Sequence, residues 1–146
     1  MKEILIHKLY QYIRENNPDL LLQLEEDGKV TEYLSDKISI VEALLHETDK
    51  EQPAYIIEEA CMDILTQDLR PSKFNYISAI LEEEFDIAYQ QLQQSGTLQF
   101  EVINLVKYCQ PFFDALGFTD ENEDSRNLKH VVIGRISEYL EREKEV

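Results

Sequence analysis

The chain has 146 residues, of which 14 are Lys or Arg and 30 are Asp or Glu, so its formal net charge is −16. With 43% hydrophobic and 10% aromatic residues it has enough apolar material for a packed core, which argues against disorder driven by charge. The excess of acids argues against direct binding to nucleic acid or to an anionic membrane surface, because both require clustered basic residues.

Apolar residues recur at helical spacing through the first half of the chain, and no segment alternates with a period of two. Asn17-Pro18 is a helix start signal, because Asn caps backbone amides and Pro fits the first helical position. The polar run 48–52 is expected to be a connector. Four helices are predicted in this half, over about Lys2–Glu15, Pro18–Asp27, Val30–Glu47 and Pro53–Arg70.

The second half has the same helical periodicity. A fifth helix is predicted from about Ser72 to Gln94, with Gly96 as its stop. A sixth begins near Thr97, and Pro111 is expected to kink or end it. The acidic segment 119–125 is predicted to be a loop, and a last helix should run to about residue 143.

No linker rich in Gly, Ser or Pro divides the chain, and no repeat at a fixed period is found. The sequence therefore predicts a single all-α domain over residues 1–146, a compact array of six or seven helices with short connections. No apolar run is long enough for a signal peptide or a membrane span. The two cysteines, Cys61 and Cys109, cannot form a disulfide framework. A reduced, cytoplasmic protein is the expectation.

Motifs for catalysis, metals and cofactors are incomplete. The four glycines are too far apart for a phosphate-binding loop. His46-Glu47 begins like a zinc-protease motif, but Lys50 stands where the second histidine belongs. Residues 120–124 begin like a calcium loop that lacks its Gly and its final Glu. The sequence therefore predicts no catalytic residue, no metal site and no cofactor, and both cysteines are expected to be buried structural thiols.

Acidic residues dominate the segment between Phe74 and Ser125, which contains ten acidic residues and one basic residue, Lys107. A solvated helix face explains most of them. Glu84 differs because it lies at the edge of an apolar stripe, where it either pairs with a cation or lines a groove. Its candidate partners are Arg70, Lys73, Arg126 and Arg135.

Five short stretches occur in a distinctive order: Glu15–Asp19, Glu58–Ala60, Leu69–Tyr76, Ile80–Phe85 and Gly134–Glu141. This order resembles an uncharacterised family of helical domains that is common in Bacteroidetes and often carried on mobile elements. The resemblance implies a compact all-α fold and a link to horizontal transfer. It implies no catalytic residue, because no activity is established for that family. The segment 30–52 and the acidic loop depart from the family pattern.

The favoured function is a non-enzymatic protein–protein interaction module or a small homo-oligomer of the bacterial cytoplasm. Helical arrays form grooves in which a partner helix can lie, and two-fold self-pairing is the commonest form of assembly. The partner is expected to be another protein or a second copy of the chain. The candidate groove residues are Tyr76, Glu84, Tyr89, Phe112 and Phe113.

Two alternatives stay open. The first is an acidic mimic of nucleic acid that inhibits a DNA-binding enzyme, since the acids between Phe74 and Ser125 could form a row of carboxylates. Against it, the acidic charge is spread evenly over both halves of the chain. The second is an enzyme with an unrecognised carboxylate site around Glu84, which no motif supports.

Overall fold

The computed structural model describes residues 1–47 and 52–145. Within these residues the regular structure is helical, which confirms the all-α prediction, but there are eight α-helices instead of six or seven. A short 3-10 turn, Gln67–Leu69, follows the fourth helix. Most of the predicted connector 48–52 lies outside the described residues. The helices are α1 (Lys2–Asn16), α2 (Pro18–Asp27), α3 (Val30–Glu47), α4 (Ala54–Leu65), α5 (Lys73–Glu84), α6 (Asp86–Ser95), α7 (Leu98–Leu116) and α8 (Arg126–Glu145).

The chain divides into two compact units, residues 1–70 with α1 to α4 and residues 71–146 with α5 to α8. Each unit has its own core of buried apolar side chains. That both units form one domain stays a prediction. The core of the first unit contains Leu5, Leu9, Ile13, Leu34, Ile38, Val41, Cys61 and Leu65; that of the second contains Ile77, Leu81, Val102, Leu105, Val106, Cys109, Phe113, Leu128, Val132 and Ile136.

The two units share one order of helices. Asn17 joins α1 to α2 with φ −134° and ψ 54°, and Phe85 joins α5 to α6 with φ −131° and ψ 51°. The second helix of each unit has 10 residues and ends at a left-handed glycine, Gly28 (φ 66°) or Gly96 (φ 76°). Asn17 and Phe85 are 68 residues apart, and so are the two glycines.

This structural repeat corrects the prediction that no fixed period exists. The sequence conceals it because the repeated junctions use different chemistry, Asn17-Pro18 in one unit and Phe85-Asp86 in the other. At this offset few residues are identical: Gln23 and Gln91, Leu24 and Leu92, and the glycine that ends the second helix are among them. A left-handed backbone conformation is costly for other residues, so this position accepts fewer substitutes than a packed apolar position.

The predicted fifth helix is two helices, α5 and α6, because Phe85 leaves the helical conformation. The three glutamates 82–84 are unfavourable at the negative end of the α5 dipole, whereas Asp86 is favourable in the first turn of α6. The interruption lets α6 contact both α5 and α7. Phe85 itself packs against the core, so it fits the apolar pattern that predicted a continuous helix.

Pro111 lies inside α7, so the expectation that it could end the sixth predicted helix is wrong. Proline removes one backbone hydrogen bond, but Pro111 is on an exposed position, where water can satisfy the carbonyl left unpaired. Burial of Phe113, only 2% exposed, favours continuation of the helix. The helix ends instead at Gly117, which has φ 79°.

The acidic segment between α7 and α8 is a loop, as predicted, and Asn122 organises it. Its side-chain oxygen accepts a hydrogen bond from the backbone amide of Thr119 (2.7 Å), and its side-chain nitrogen donates to the carbonyl of Gly117 (2.7 Å).

Among the described residues, no group of three or more His, Cys, Asp or Glu is placed to hold a metal ion. None of the helices in that part of the chain is long and apolar enough to span a membrane.

Candidate interaction surface on α7 and α8

The predicted groove residues lie in different environments within the second unit. Phe113 is buried, and the ring of Tyr76 packs edge-on against it with 6.1 Å between centroids. Phe118, which the sequence analysis did not single out, completes this aromatic group at 4.9 Å from both rings. Tyr89 packs half-buried against the same core. Tyr76, Tyr89 and Phe113 therefore contribute mainly to packing.

Glu84 is exposed at the end of α5, and its nearest recorded cation is Lys129 of α8. The Lys129 Nζ lies 3.8 Å from Glu84 Oε1 and 3.5 Å from Glu83 Oε2. Lys129 is not one of the four cations considered from the sequence. At these exposures an ion pair contributes little to stability.

Phe112 belongs to a different surface, formed where α7 and α8 pack together. The guanidinium carbon of Arg135 lies 4.7 Å from the centroid of the Phe112 ring and 4.1 Å from that of Tyr108. Arg135 Nη1 also donates to Glu138 Oε2 at 2.8 Å. The guanidinium is thus fixed by two rings and a carboxylate, although 28% of the Arg135 side chain stays exposed. Tyr108, Phe112, Arg135, Glu138 and Arg142 are called the arginine cluster below.

Tyr108 is the centre of this arginine cluster. Its hydroxyl donates to Glu138 Oε2 at 3.3 Å, and its ring packs edge-on against Tyr139 with 5.5 Å between centroids. The guanidinium carbon of Arg142 lies 5.8 Å from the centroid of the Tyr108 ring. A shallow, open pocket of about 390 Å³ is formed here by Tyr108, Arg135, Glu138, Glu141 and Arg142.

The family model that matches the chain is described as a domain of unknown function, DUF1896, and it covers residues 5–144. The chain belongs to the DUF1896 family. The match confirms the resemblance to an uncharacterised family, and it spans both units and the whole arginine cluster. No curated protein and no solved structure matches the chain.

Two titratable groups next to the arginine cluster of this DUF1896 chain, the Cys109 thiol and the Tyr139 hydroxyl, have raised pKa values that favour their neutral forms. Burial raises the pKa of the Cys109 thiol to about 11, and the positive charge of Arg135 opposes that shift. Burial and the nearby Glu101 carboxylate, which accepts a hydrogen bond from the Tyr139 hydroxyl at 2.7 Å, raise the pKa of Tyr139. Both pKa values are therefore shifted further from 7, so neither group is suited to proton transfer at neutral pH.

Sequence reasoning missed most of the arginine cluster in this DUF1896 chain. Arg135 was considered only as a partner for Glu84, and Tyr108 was not singled out. The usable signal was spacing, because Tyr108 and Phe112 are one turn apart on α7, as Arg135 and Glu138 are on α8. That these two turns meet depends on how α7 and α8 pack, which local periodicity does not specify.

Proposed function

We propose that this DUF1896 chain is a non-enzymatic protein–protein interaction module of the bacterial cytoplasm, and that its partner binds the surface of α7 and α8. The proposal rests on one observation: the Arg135 side chain packs against the rings of Tyr108 and Phe112 but remains partly exposed. Protein interfaces are enriched in Tyr, Phe and Arg, and arginine is common among the residues that dominate binding energy.

Pre-organisation supports the proposal. A long arginine side chain normally loses conformational freedom when it is immobilised at an interface, at a cost of about 0.5–1.5 kcal/mol. In this chain the two rings and Glu138 already restrict Arg135 before any partner arrives. More of the interaction energy with a partner is therefore available as affinity.

The proposed cellular location and the proposed link to mobile elements are based on the cysteines and on the family resemblance. Two buried, free cysteines are compatible with a reducing compartment. The proposal includes the association with Bacteroidetes and their mobile elements that the family resemblance implies. Such an element would then carry an adaptor that binds a protein of the element or of its host.

Site-specific photocrosslinking in the native host tests this function. A photoreactive amino acid replaces Glu141, which lines the pocket, or, in a control protein, Gln91, which is exposed on α6. A discrete protein adduct is expected from position 141 and none from position 91. Adducts at neither position, or equal adducts at both, would contradict binding through α7 and α8.

Crosslinking from a third position distinguishes the acidic-mimic alternative from the interaction module. Glu83 lies in the acidic run that ends α5, and 69% of its side chain is exposed. A nucleic-acid mimic should crosslink from position 83 to a DNA-binding enzyme, in a manner lost at high salt. An interaction module that uses the arginine cluster should not.

Substitution of Arg135 by Lys tests whether binding needs the planar guanidinium group or only its positive charge. Lysine keeps the positive charge but loses the planar group that stacks on Tyr108 and Phe112. The adduct from position 141 is expected to decrease at least several-fold. The matched control, Arg126→Lys at the exposed start of α8, is expected to leave it unchanged.

A further inference from the structure

Gly134 lies in the middle of α8, one residue before Arg135, and nothing in its surroundings requires a glycine. Its φ is not among the positive values found at the other three glycines. Apart from its chain neighbours and the backbone of its own helix, no described heavy atom lies within 4 Å of the position that a Cβ would occupy, and the residue is exposed. Glycine destabilises a helix interior relative to alanine, so Gly134 does not contribute to the stability of α8.

A helical glycine on an open surface has one physical advantage, because it lets another backbone approach the helix axis more closely than any side chain would. His130 and Glu138 lie one turn to either side of Gly134, on the same outer face, and both are exposed. The closest approach of a partner is therefore expected at Gly134, directly beside the arginine cluster.

We infer that α8 pairs with α8 of a second copy of this chain, in an antiparallel arrangement that crosses at Gly134. This inference rests on the proposed function, because it names the partner of the same surface. A two-fold axis at Gly134 places His130 of each copy opposite Glu138 of the other. Each imidazole can then donate a hydrogen bond to the facing carboxylate, so the contact forms twice.

The charges around the pocket favour a second copy over a partner of one charge sign. The pocket contains two arginines, Arg135 and Arg142, and two glutamates, Glu138 and Glu141, although the chain as a whole has a net charge of −16. A uniformly acidic or basic partner would meet like charges at half of these positions. A two-fold interface uses the same patch on both sides and therefore requires this kind of mixture.

The available area is sufficient for a modest dimer. Helices α7 and α8 have 19 and 20 residues, so each is about 30 Å long at about 1.5 Å per residue. Two adjacent helices about 10 Å wide present a face of roughly 600 Å² per copy, at the lower end of specific interfaces. The expected dimer is therefore weak and depends on concentration.

Sedimentation velocity of the full chain over a range of micromolar concentrations tests the pairing, with Gly134→Ala as the main variant. The wild type is expected to dimerise, and Gly134→Ala is expected to weaken dimerisation at least tenfold. At a concentration where both proteins are monomeric, the same variant is expected to raise Tm by about 2–4 °C, because alanine is the better helix former. A merely structural glycine would not produce higher stability together with weaker association.

Two variants of His130 test the facing contact without changing the arginine cluster. His130→Glu sets two carboxylates against each other and should weaken the dimer, whereas His130→Lys should preserve or strengthen it. The matched control, Gln91→Ala on α6, should leave dimerisation unchanged. A wild type that stays monomeric, or a Gly134→Ala variant that dimerises like the wild type, would overturn self-pairing.

The crosslinking experiment separates failure of this inference from failure of the proposed function. An adduct from position 141 with twice the mass of the chain supports self-pairing. An adduct with a different protein overturns self-pairing and retains the interaction module. Absence of any adduct counts against both.

Discussion

Two tyrosines of the second unit differ in whether their hydroxyls have a hydrogen-bond partner. The Tyr76 hydroxyl is buried without a hydrogen-bond partner among the described residues, whereas the Tyr139 hydroxyl donates to Glu101 at 2.7 Å. Burial raises the pKa of both tyrosines, and nearby carboxylates, including Asp124 at Tyr76, raise it further. At this scale, the same functional group either destabilises or stabilises the fold according to whether its desolvation is compensated.

Replacement of Tyr76 by Phe is expected to increase the free energy of unfolding by about 1 kcal/mol, because it removes a buried donor that has no acceptor. Tyr139→Phe makes the same chemical change and is expected to decrease the free energy of unfolding by about 1 kcal/mol, because it leaves Glu101 without its donor. Urea denaturation of both variants beside the wild type measures the two shifts. Shifts of the same sign would contradict this assignment.

The buried thiols predict a loss of stability at alkaline pH. The pKa of Cys109 is about 11 in the folded chain against 9.0 for an ordinary thiol, and burial raises that of Cys61 as well. Above pH 9 the unfolded chain loses thiol protons that the folded chain retains. The free energy of unfolding is therefore expected to decrease as the pH rises from 9 to about 11.

The Cys61→Ala/Cys109→Ala double variant isolates this contribution, because the tyrosines with raised pKa values are the same in both proteins. Its free energy of unfolding should decrease less steeply over the same pH range, whatever its value at pH 7. Denaturant titrations at several pH values provide the comparison. Parallel slopes for the two proteins would show that the thiols contribute nothing.

At the scale of the helix, the caps differ in kind. Ser72 precedes α5, and its hydroxyl accepts a hydrogen bond from the backbone amide of Asn75 at 3.0 Å. Thr97 precedes α7 and makes no such bond to its helix. Ser72→Ala is expected to lower the free energy of unfolding by about 1 kcal/mol, and Thr97→Ala by only a few tenths. Chemical denaturation measures both, and equal losses would contradict a capping role for Ser72.

The helices also show what local sequence can specify. The ends of α1 to α3 agree with prediction to within about a residue, because Asn17-Pro18, Gly28 and the apolar spacing act within single turns. The break at Phe85 was missed because Phe85 continues the apolar pattern, and the break depends on how α6 contacts α7. The arginine cluster was missed for the same reason, since Tyr108 and Arg135 meet only after α7 and α8 pack.

At the scale of the whole molecule, each unit has its own core but only about half of the chain. A unit of that size buries only about 60% of the surface that its unfolded chain exposes and is marginally stable alone. We therefore maintain the single-domain prediction, in which residues 1–70 and 71–146 unfold together. Heat capacity should show one transition, with calorimetric and van 't Hoff enthalpies in agreement.

Matched core variants distinguish one cooperative domain from two independent units. Leu9 in the first core and Leu105 in the second are both 0% exposed, and truncation of either to alanine is expected to cost about 2–5 kcal/mol. In a single domain, each variant lowers the temperature of the one transition, and far-UV circular dichroism is lost for all helices together. In independent units, Leu9→Ala would shift one transition and leave another at the wild-type temperature. The second pattern would assign Leu9 and Leu105 to separate domains.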